Sequence, residues 1–140
     1  MQTAGGRSLL LLRHLGEPFC VDAHCYHQGA LLEDASIEDL PGGGACLRCP
    51  AHGRRIALDT GSEVSRSVDG SLAPNGVRVQ RVHAVTRSRD GYLVVEPSSS
   101  PPAVRSDAYC CALVGEPSTA RGLWRHAVSL RPLTLSRRPN

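Results

Sequence analysis

Residues 24–53 read HCYHQGALLEDASIEDLPGGGACLRCPAHG and concentrate the soft metal ligands of this chain. The stretch holds three of the six cysteines and three of the six histidines, although it covers only 30 of the 140 residues. One residue separates Cys25 from His27, 21 residues follow, and two residues separate Cys49 from His52. Each of two short segments therefore offers one thiolate and one imidazole.

Two cysteines and two histidines can bind metal in two ways. A cluster of two irons and two sulfides takes both thiolates on one iron and both imidazoles on the other. A structural zinc ion takes the same four side chains as a tetrahedron, and its usual knuckle spacing favours Cys46 together with Cys49. A disulfide network is a third possibility, but no segment directs export convincingly. The pattern favours iron, with zinc as the alternative.

Composition excludes several classes of protein. A chain of 140 residues fits one domain with a tail. Sixteen basic and thirteen acidic side chains give a net charge of +3, without the basic face that nucleic-acid binding needs. The longest aliphatic run, residues 9–12, is far shorter than the ~18 apolar residues of a membrane span and favours a strand over a transit segment. We expect a cytoplasmic monomer that binds no nucleic acid and spans no membrane.

Short apolar segments separated by turns predict an all-β fold. The predicted strands are residues 8–13, 19–23, 45–49, 55–59, 77–85 with an interruption near Arg81, and 92–95. The Arg89-Asp90-Gly91 sequence predicts a hairpin turn before the last of them. Small polar residues predict a long surface loop over 65–76, and we expect a helix near 119–130.

The two ligand segments resemble the paired loops, C-x-H and C-P-x-H-G, of the Rieske iron–sulfur family. The resemblance covers about residues 8–97. It implies that Cys25 and Cys49 bind one iron of a [2Fe–2S] cluster, and that His27 and His52 bind the other. It also implies a Rieske-type β-sandwich in which two loops form a small cluster-binding subdomain.

Four longer stretches are similar to the soluble Rieske-type ferredoxins of animals: CYHQGALLEDASIEDL, CPAHGRRIALDTG, QRVHAVTRSRDGYLVV and SDAYCCALVGEP. The last lies beyond a Pro/Ser-rich loop at 97–104, so we expect residues 106–115 to fold back on the domain. The predicted organisation is a Rieske domain over 1–115 and a flexible C-terminal tail over 116–140.

The resemblance to ferredoxins implies an electron carrier and not an enzyme. Its partners would be redox proteins, a reductase upstream and an oxygenase or other acceptor downstream. A Rieske oxygenase would need a second domain with a mononuclear iron, for which the chain is too short. A quinol oxidase subunit would need a membrane anchor. A redox or iron sensor using the same four ligands stays an alternative.

Three departures from the family pattern are informative. Quinol-oxidising members carry a disulfide between cysteines at the positions of Ala30 and Ala51, and a sulfide-bonded hydroxyl at the position of Arg54. Without them we expect a potential in the lower part of the Rieske range of about −150 to +300 mV. Family members also begin with another strand before the hairpin that starts here near Ser8, so the sandwich is expected to lack an N-terminal edge strand.

We expect no metal-binding role for the other reactive groups of the chain. His83 lies in a valine-rich segment, which is typical of a core or surface histidine. Cys110 and Cys111 are interpreted as two free thiols. Arg54 and Arg55 border the second ligand segment, where they either dock an acidic partner or form an ordinary solvated face.

Overall fold

The computed structural model describes residues 6–99, 103–110 and 126–128. These residues form two five-stranded antiparallel sheets and one short helix. The strands are β1 (Leu9–His14), β2 (Glu17–Asp22), β3 (Ser36–Asp39), β4 (Ala45–Arg48), β5 (Arg55–Ala57), β6 (Ser62–Arg66), β7 (Leu72–Arg78), β8 (Val82–Arg87), β9 (Leu93–Glu96) and β10 (His126–Val128), and the helix is α1 (Asp107–Cys110). The first sheet has the order β1-β2-β8-β9-β10 and the second β3-β4-β5-β6-β7. The predicted all-β, Rieske-type fold is confirmed.

The run of four leucines forms strand β1, as predicted. Successive side chains of a strand point to opposite faces. Leu10 and Leu12 accordingly pack against the main core, whereas Leu9 and Leu11 belong to a smaller cluster with Cys20 and Val95. Both faces of β1 are therefore covered by protein, which explains why apolar residues fill it without alternation.

The tight turn between β1 and β2 is made by two residues with positive φ. Leu15 has a φ of +48° and Gly16 a φ of +93°, which suits the two-residue hairpin turns of twisted strands. The turn is therefore shorter than the gap between the predicted strands 8–13 and 19–23. Strand β1 forms one edge of the first sheet in the described residues. The absence of a further N-terminal strand stays a prediction.

The main core joins the two sheets. Val21 of β2 packs in the same cluster as Leu47 of β4 and Ile56 of β5, and all three are at most 2% exposed. Leu47 and Ile56 are directly opposite each other in the ladder between β4 and β5. This shared core fixes the end of β2 relative to the β4–β5 hairpin, and the two predicted ligand segments follow from those strands.

The prediction of a long surface loop over residues 65–76 is wrong for residues 65–66 and 72–76, and only residues 67–71 form a surface turn. Strands β6 and β7 form a hairpin there, with a register shift between Ser62 and Val64. Strand β7 lies at the sheet edge and is exposed over most of its length. An edge strand tolerates Pro74 and needs no apolar alternation, so its sequence resembled a loop.

The chain beyond β9 returns to the sandwich. Ser106 N–H donates to the Val79 carbonyl at 3.1 Å, and Ser8 N–H donates to the Cys110 carbonyl at 3.0 Å. The predicted helix near 119–130 is wrong at 126–128, because these residues form β10 and pair with β9. The remainder of that range lies outside the described residues, and the domain boundary at residue 115 stays a prediction.

The Arg89-Asp90-Gly91 turn between β8 and β9 is confirmed by their antiparallel ladder. Within the described ranges, no helix has the length and hydropathy of a membrane span.

Candidate metal centre

The first ligand segment forms a compact turn, called loop 1 below (residues 25–30). Cys25 N–H donates to the Ala30 carbonyl at 2.8 Å, and Gly29 N–H donates to the Cys25 carbonyl at 2.9 Å. Gly29 has a φ of +71°, a conformation that side-chain-bearing residues rarely adopt. The two bonds close the turn that carries His27.

The second ligand segment, loop 2 (residues 49–54), repeats the same hydrogen bonds at the same spacing. Cys49 N–H donates to the Arg54 carbonyl at 2.8 Å, and Gly53 N–H donates to the Cys49 carbonyl at 2.9 Å. Gly53 has a φ of +66°. Each loop therefore begins with a cysteine, turns at a glycine four residues later and carries a histidine between them.

The two loop cysteines lie side by side in the core. Cys25 is 0% and Cys49 1% exposed, and both belong to the main core cluster. Burial raises the pKa of the Cys25 thiol to about 11; the His27 backbone N–H acts in the opposite direction, and the neighbouring Cys49 adds to the rise. Such a thiol stays protonated at neutral pH unless a bound metal stabilises the thiolate.

The two loop histidines also meet. The ring centroids of His27 and His52 are 4.9 Å apart, with an angle of 82° between the ring planes. Nδ1 of His27 is buried and has no hydrogen-bond partner among the described residues. Buried polar atoms in proteins nearly always have a partner, so this nitrogen indicates a group that the protein itself does not supply.

The arrangement of these four side chains pairs sulfur with sulfur and nitrogen with nitrogen. The part of the chain that the structure describes has no group of three or more His, Cys, Asp or Glu side chains placed to hold one metal ion. A two-iron cluster makes a different demand, because each iron takes only two protein ligands. The residues present fit such a cluster, with the thiols on one side and the imidazoles on the other.

Cys46 does not join the site. Its side chain packs with Leu40, Ala57 and Val64, whereas Cys49 belongs to the main core. The zinc knuckle that the spacing of Cys46 and Cys49 suggested is therefore not formed.

Gln80 lies in the connection between β7 and β8 and holds loop 1, a role that was missed from the sequence. Its side chain is fully buried and accepts a hydrogen bond from Tyr26 N–H at 3.0 Å. Its amide nitrogen donates to the carbonyls of Asp22 at 2.9 Å and His24 at 2.8 Å. The sequence carried no distinct signal, because Gln80 is one of several polar residues, with Arg78 and Arg81, among the valines of this segment.

Glu63 of β6 connects the two loops. Tyr26 of loop 1 donates its phenolic hydrogen to Glu63 at 2.5 Å, and Arg54 of loop 2 donates to the same carboxylate oxygen at 3.2 Å. Burial and this hydrogen bond raise the pKa of the Tyr26 phenol. This contact gives the Arg54 guanidinium a partner within the protein, although the side chain remains half exposed.

Two other residues considered from sequence have internal partners. Arg55 pairs with Glu38 at 2.6 Å, which favours a structural role over docking. His83 is a buried core histidine: Ser98 N–H donates to its Nδ1 at 3.0 Å, so its Nε2 carries the hydrogen directed at Asp22, 3.1 Å away.

Comparison with known proteins agrees with this architecture. The family profile described as soluble Rieske-type ferredoxin matches residues 1–100. A human protein named Rieske domain-containing protein is 36% identical over 110 residues, an alignment that covers 74% of this chain and 68% of the human protein. The paired loops and strands β1 to β9 fall within the residues that the family profile matches. The chain therefore belongs to the family of soluble Rieske-type ferredoxins.

Proposed function

We propose that the chain is a one-electron carrier whose [2Fe–2S] cluster is bound by Cys25 and Cys49 on one iron and by His27 and His52 on the other. The buried, unpartnered Nδ1 of His27 beside the His52 ring is the observation that carries the proposal. Membership in a ferredoxin family supports electron transfer and not catalysis on a substrate. The bound cluster would supply the one-electron chemistry, and the protein supplies the ligands and their surroundings.

Mixed ligation makes the cluster easier to reduce. Two neutral imidazoles in place of two thiolates change the formal charge of the oxidised cluster from about −2 to about 0, and a less negative centre accepts an electron more readily. If Nδ1 of His27 binds iron, its Nε2 faces away and can release a proton on oxidation. The exposed ring of His52 gives the second imidazole contact with solvent. Electron transfer would then be coupled to proton transfer.

The loop sequences support a potential in the lower part of the family range. Ala30 and Ala51 cannot form a disulfide between the loops. The Arg54 side chain pairs with Glu63 and provides no hydroxyl for a sulfide. With less stabilisation of the reduced cluster, we infer a midpoint in the lower half of the interval from about −150 to +300 mV. A midpoint near its upper end would contradict this inference.

The partners are proposed to be redox proteins, a reductase that delivers the electron and an oxygenase or other acceptor that removes it. The exposed His52 edge is the proposed contact point, since it is the part of the centre nearest to solvent. We further propose a monomer that works in the cytoplasm.

Electron paramagnetic resonance of the dithionite-reduced protein, together with metal analysis, tests the proposal. We expect about two irons per chain and a rhombic signal with the low average g-value of mixed His and Cys ligation. His52→Cys should lower the midpoint and shift the spectrum, because a thiolate adds negative charge. Cys46→Ser is the matched control, since Cys46 is buried outside the site and its variant should keep the signal.

The same measurement distinguishes the alternatives. About one zinc per chain and no resonance signal would assign the protein to the structural zinc class and refute electron transfer. A genuine cluster whose reduction changes the affinity for a non-redox partner would instead favour a sensor.

A further inference from the structure

A C-terminal segment outside the family-matched residues contacts the candidate metal centre. This segment, called the strap below, comprises residues 103–110 and includes α1. The matched family profile ends at residue 100, before the strap begins, although residues 106–110 belong to a stretch that is similar to animal ferredoxins. Its backbone is nevertheless bonded to Val79 and Ser8 of the sandwich.

Charged and polar side chains anchor the strap below loop 1. The Asp107 carboxylate accepts hydrogen bonds from Arg81 at 2.8 and 2.5 Å and a further one from Arg7. Ser106 accepts from the Arg81 backbone N–H at 3.0 Å and donates to Asp22. Asp22 and Ser106 are fully buried and Arg81 is 3% exposed. Releasing the strap would break the ion pair of Arg81 with Asp107 and the hydrogen bond from Ser106 to Asp22, which is unfavourable even though Asp22 keeps its contacts with Arg7 and His83.

Tyr109 is the strap residue that contacts loop 1. A Cβ atom placed on Gly29 would lie 2.6 Å from Cδ1 of the Tyr109 ring, so the ring lies directly on the Gly29 backbone. The Tyr109 hydroxyl donates to the His27 carbonyl at 3.3 Å. The side chain is 39% exposed, which means that one side covers the loop and the other meets solvent.

We propose that Tyr109 is a positioning residue for the metal centre: it covers the outer side of loop 1 and fixes the peptide that carries the His27 imidazole. The inference rests on the proposed function. Two physical effects follow from the contacts. The hydrogen bond to the His27 carbonyl restricts the loop, and the ring keeps water from the Gly29 backbone. Since low polarity disfavours the extra negative charge of a reduced cluster, removing the ring should raise the midpoint potential.

Two variants separate these effects in the full-length protein. Tyr109→Phe keeps the ring and removes the hydroxyl, whereas Tyr109→Ala removes both. Tyr92→Ala is the control, because Tyr92 is similarly exposed, at 42%, and follows the β8–β9 turn away from the loops. The measurements are the midpoint potential, the rate at which a chelator bleaches the visible spectrum, and amide hydrogen exchange at Gly29 in metal-free protein.

We expect Tyr109→Ala to bleach about tenfold faster, equivalent to about 1.4 kcal/mol, and to raise the midpoint. Tyr109→Phe should bleach about threefold faster with a smaller change in midpoint, since one hydrogen bond is lost. Exchange at Gly29 should accelerate in the same order in the metal-free protein.

The outcomes separate a failure of the proposed function from a failure of the inference about Tyr109. A wild-type protein without iron would refute the proposed function, whereas the exchange measurement would still test the contact between Tyr109 and loop 1. An iron-loaded wild type with Tyr109→Ala indistinguishable from Tyr92→Ala in potential, bleaching and exchange would overturn the inference. If Tyr109→Ala does not fold, unchanged bleaching and exchange in Tyr109→Phe would overturn it equally.

Discussion

Replacing Gln80 by leucine tests whether one buried amide holds loop 1 in place. Leucine has a similar volume, so the cavity left by Gln80→Leu is small and the main effect is on hydrogen bonds. The Tyr26 N–H loses its acceptor, and the carbonyls of Asp22 and His24 each lose a donor. A buried polar group without its partner costs about 1–3 kcal/mol, and the carbonyls are affected less than the N–H. We expect a total loss of about 3 kcal/mol in the free energy of unfolding.

Urea denaturation of the metal-free protein measures this loss without contributions from a bound cluster. Gln28→Leu makes the same substitution at an exposed residue of loop 1 and should change the free energy of unfolding by less than about 0.5 kcal/mol. Gln80→Glu keeps the shape and the acceptor but loses both donors, so at neutral pH it should be at least as unstable as Gln80→Leu. A loss below about 1 kcal/mol in Gln80→Leu would refute the assigned role.

Two further substitutions test the supports of the loops. Gly61→Ala should lower the free energy of unfolding by about 3 kcal/mol, because its Cβ would lie 2.0 Å from the Gln80 carbonyl oxygen and its φ is +70°. An unchanged unfolding midpoint in heat or urea would contradict this close approach. For Asp107, burial opposes ionisation, but hydrogen bonds led by that from Arg81 hold the pKa well below its usual value. Its stabilisation is therefore complete above about pH 4 and is lost as the pH falls. Asp107→Asn should lower stability by about 2 kcal/mol at neutral pH and weaken its acid dependence, whereas Asp34→Asn, at an exposed site, should change neither.

The parts of the fold that could be predicted from the sequence are formed by residues that lie close together along the chain. The β1–β2 hairpin and the β8–β9 turn are local, and apolar runs mark their strands. Strand β7 was missed because an exposed edge strand carries neither apolar alternation nor a requirement for strong strand formers. Residues 126–128 were assigned to a helix because the pairing that makes them a strand is with β9, about thirty residues earlier.

The candidate ligands were predictable, but their supports were not. Spacing identifies the candidate ligands Cys25 and His27, and likewise Cys49 and His52, because the chemistry of a metal site restricts which residue types can bind. Glu63 gives no such signal: its bonds to Tyr26 and Arg54 span 37 and 9 residues, and an acidic residue on a strand is most often solvated. Only the tertiary fold brings it between the loops.

The difference in support between the two loops has a consequence for the metal centre. Loop 2 joins β4 and β5, which pair with each other, so the hairpin itself closes the loop. Loop 1 follows β2 of the first sheet, whereas the next strand, β3, belongs to the second sheet. A single isolated bridge, between His24 and Leu31, closes loop 1 in place of a ladder. Groups distant in sequence add to it: Gln80, Glu63 and Tyr109, at separations of 54, 37 and 82 residues.

Local unfolding begins where few bonds to regular structure must break. Loop 2 opens only when the β4–β5 ladder opens, whereas loop 1 is closed by a single bridge and a few side-chain bonds. Loop 1 should therefore be the more labile half of the site. Loss of a bound cluster should then start on the side of Cys25 and His27, and substitutions at the three supports of loop 1 should accelerate it more than comparable substitutions around loop 2.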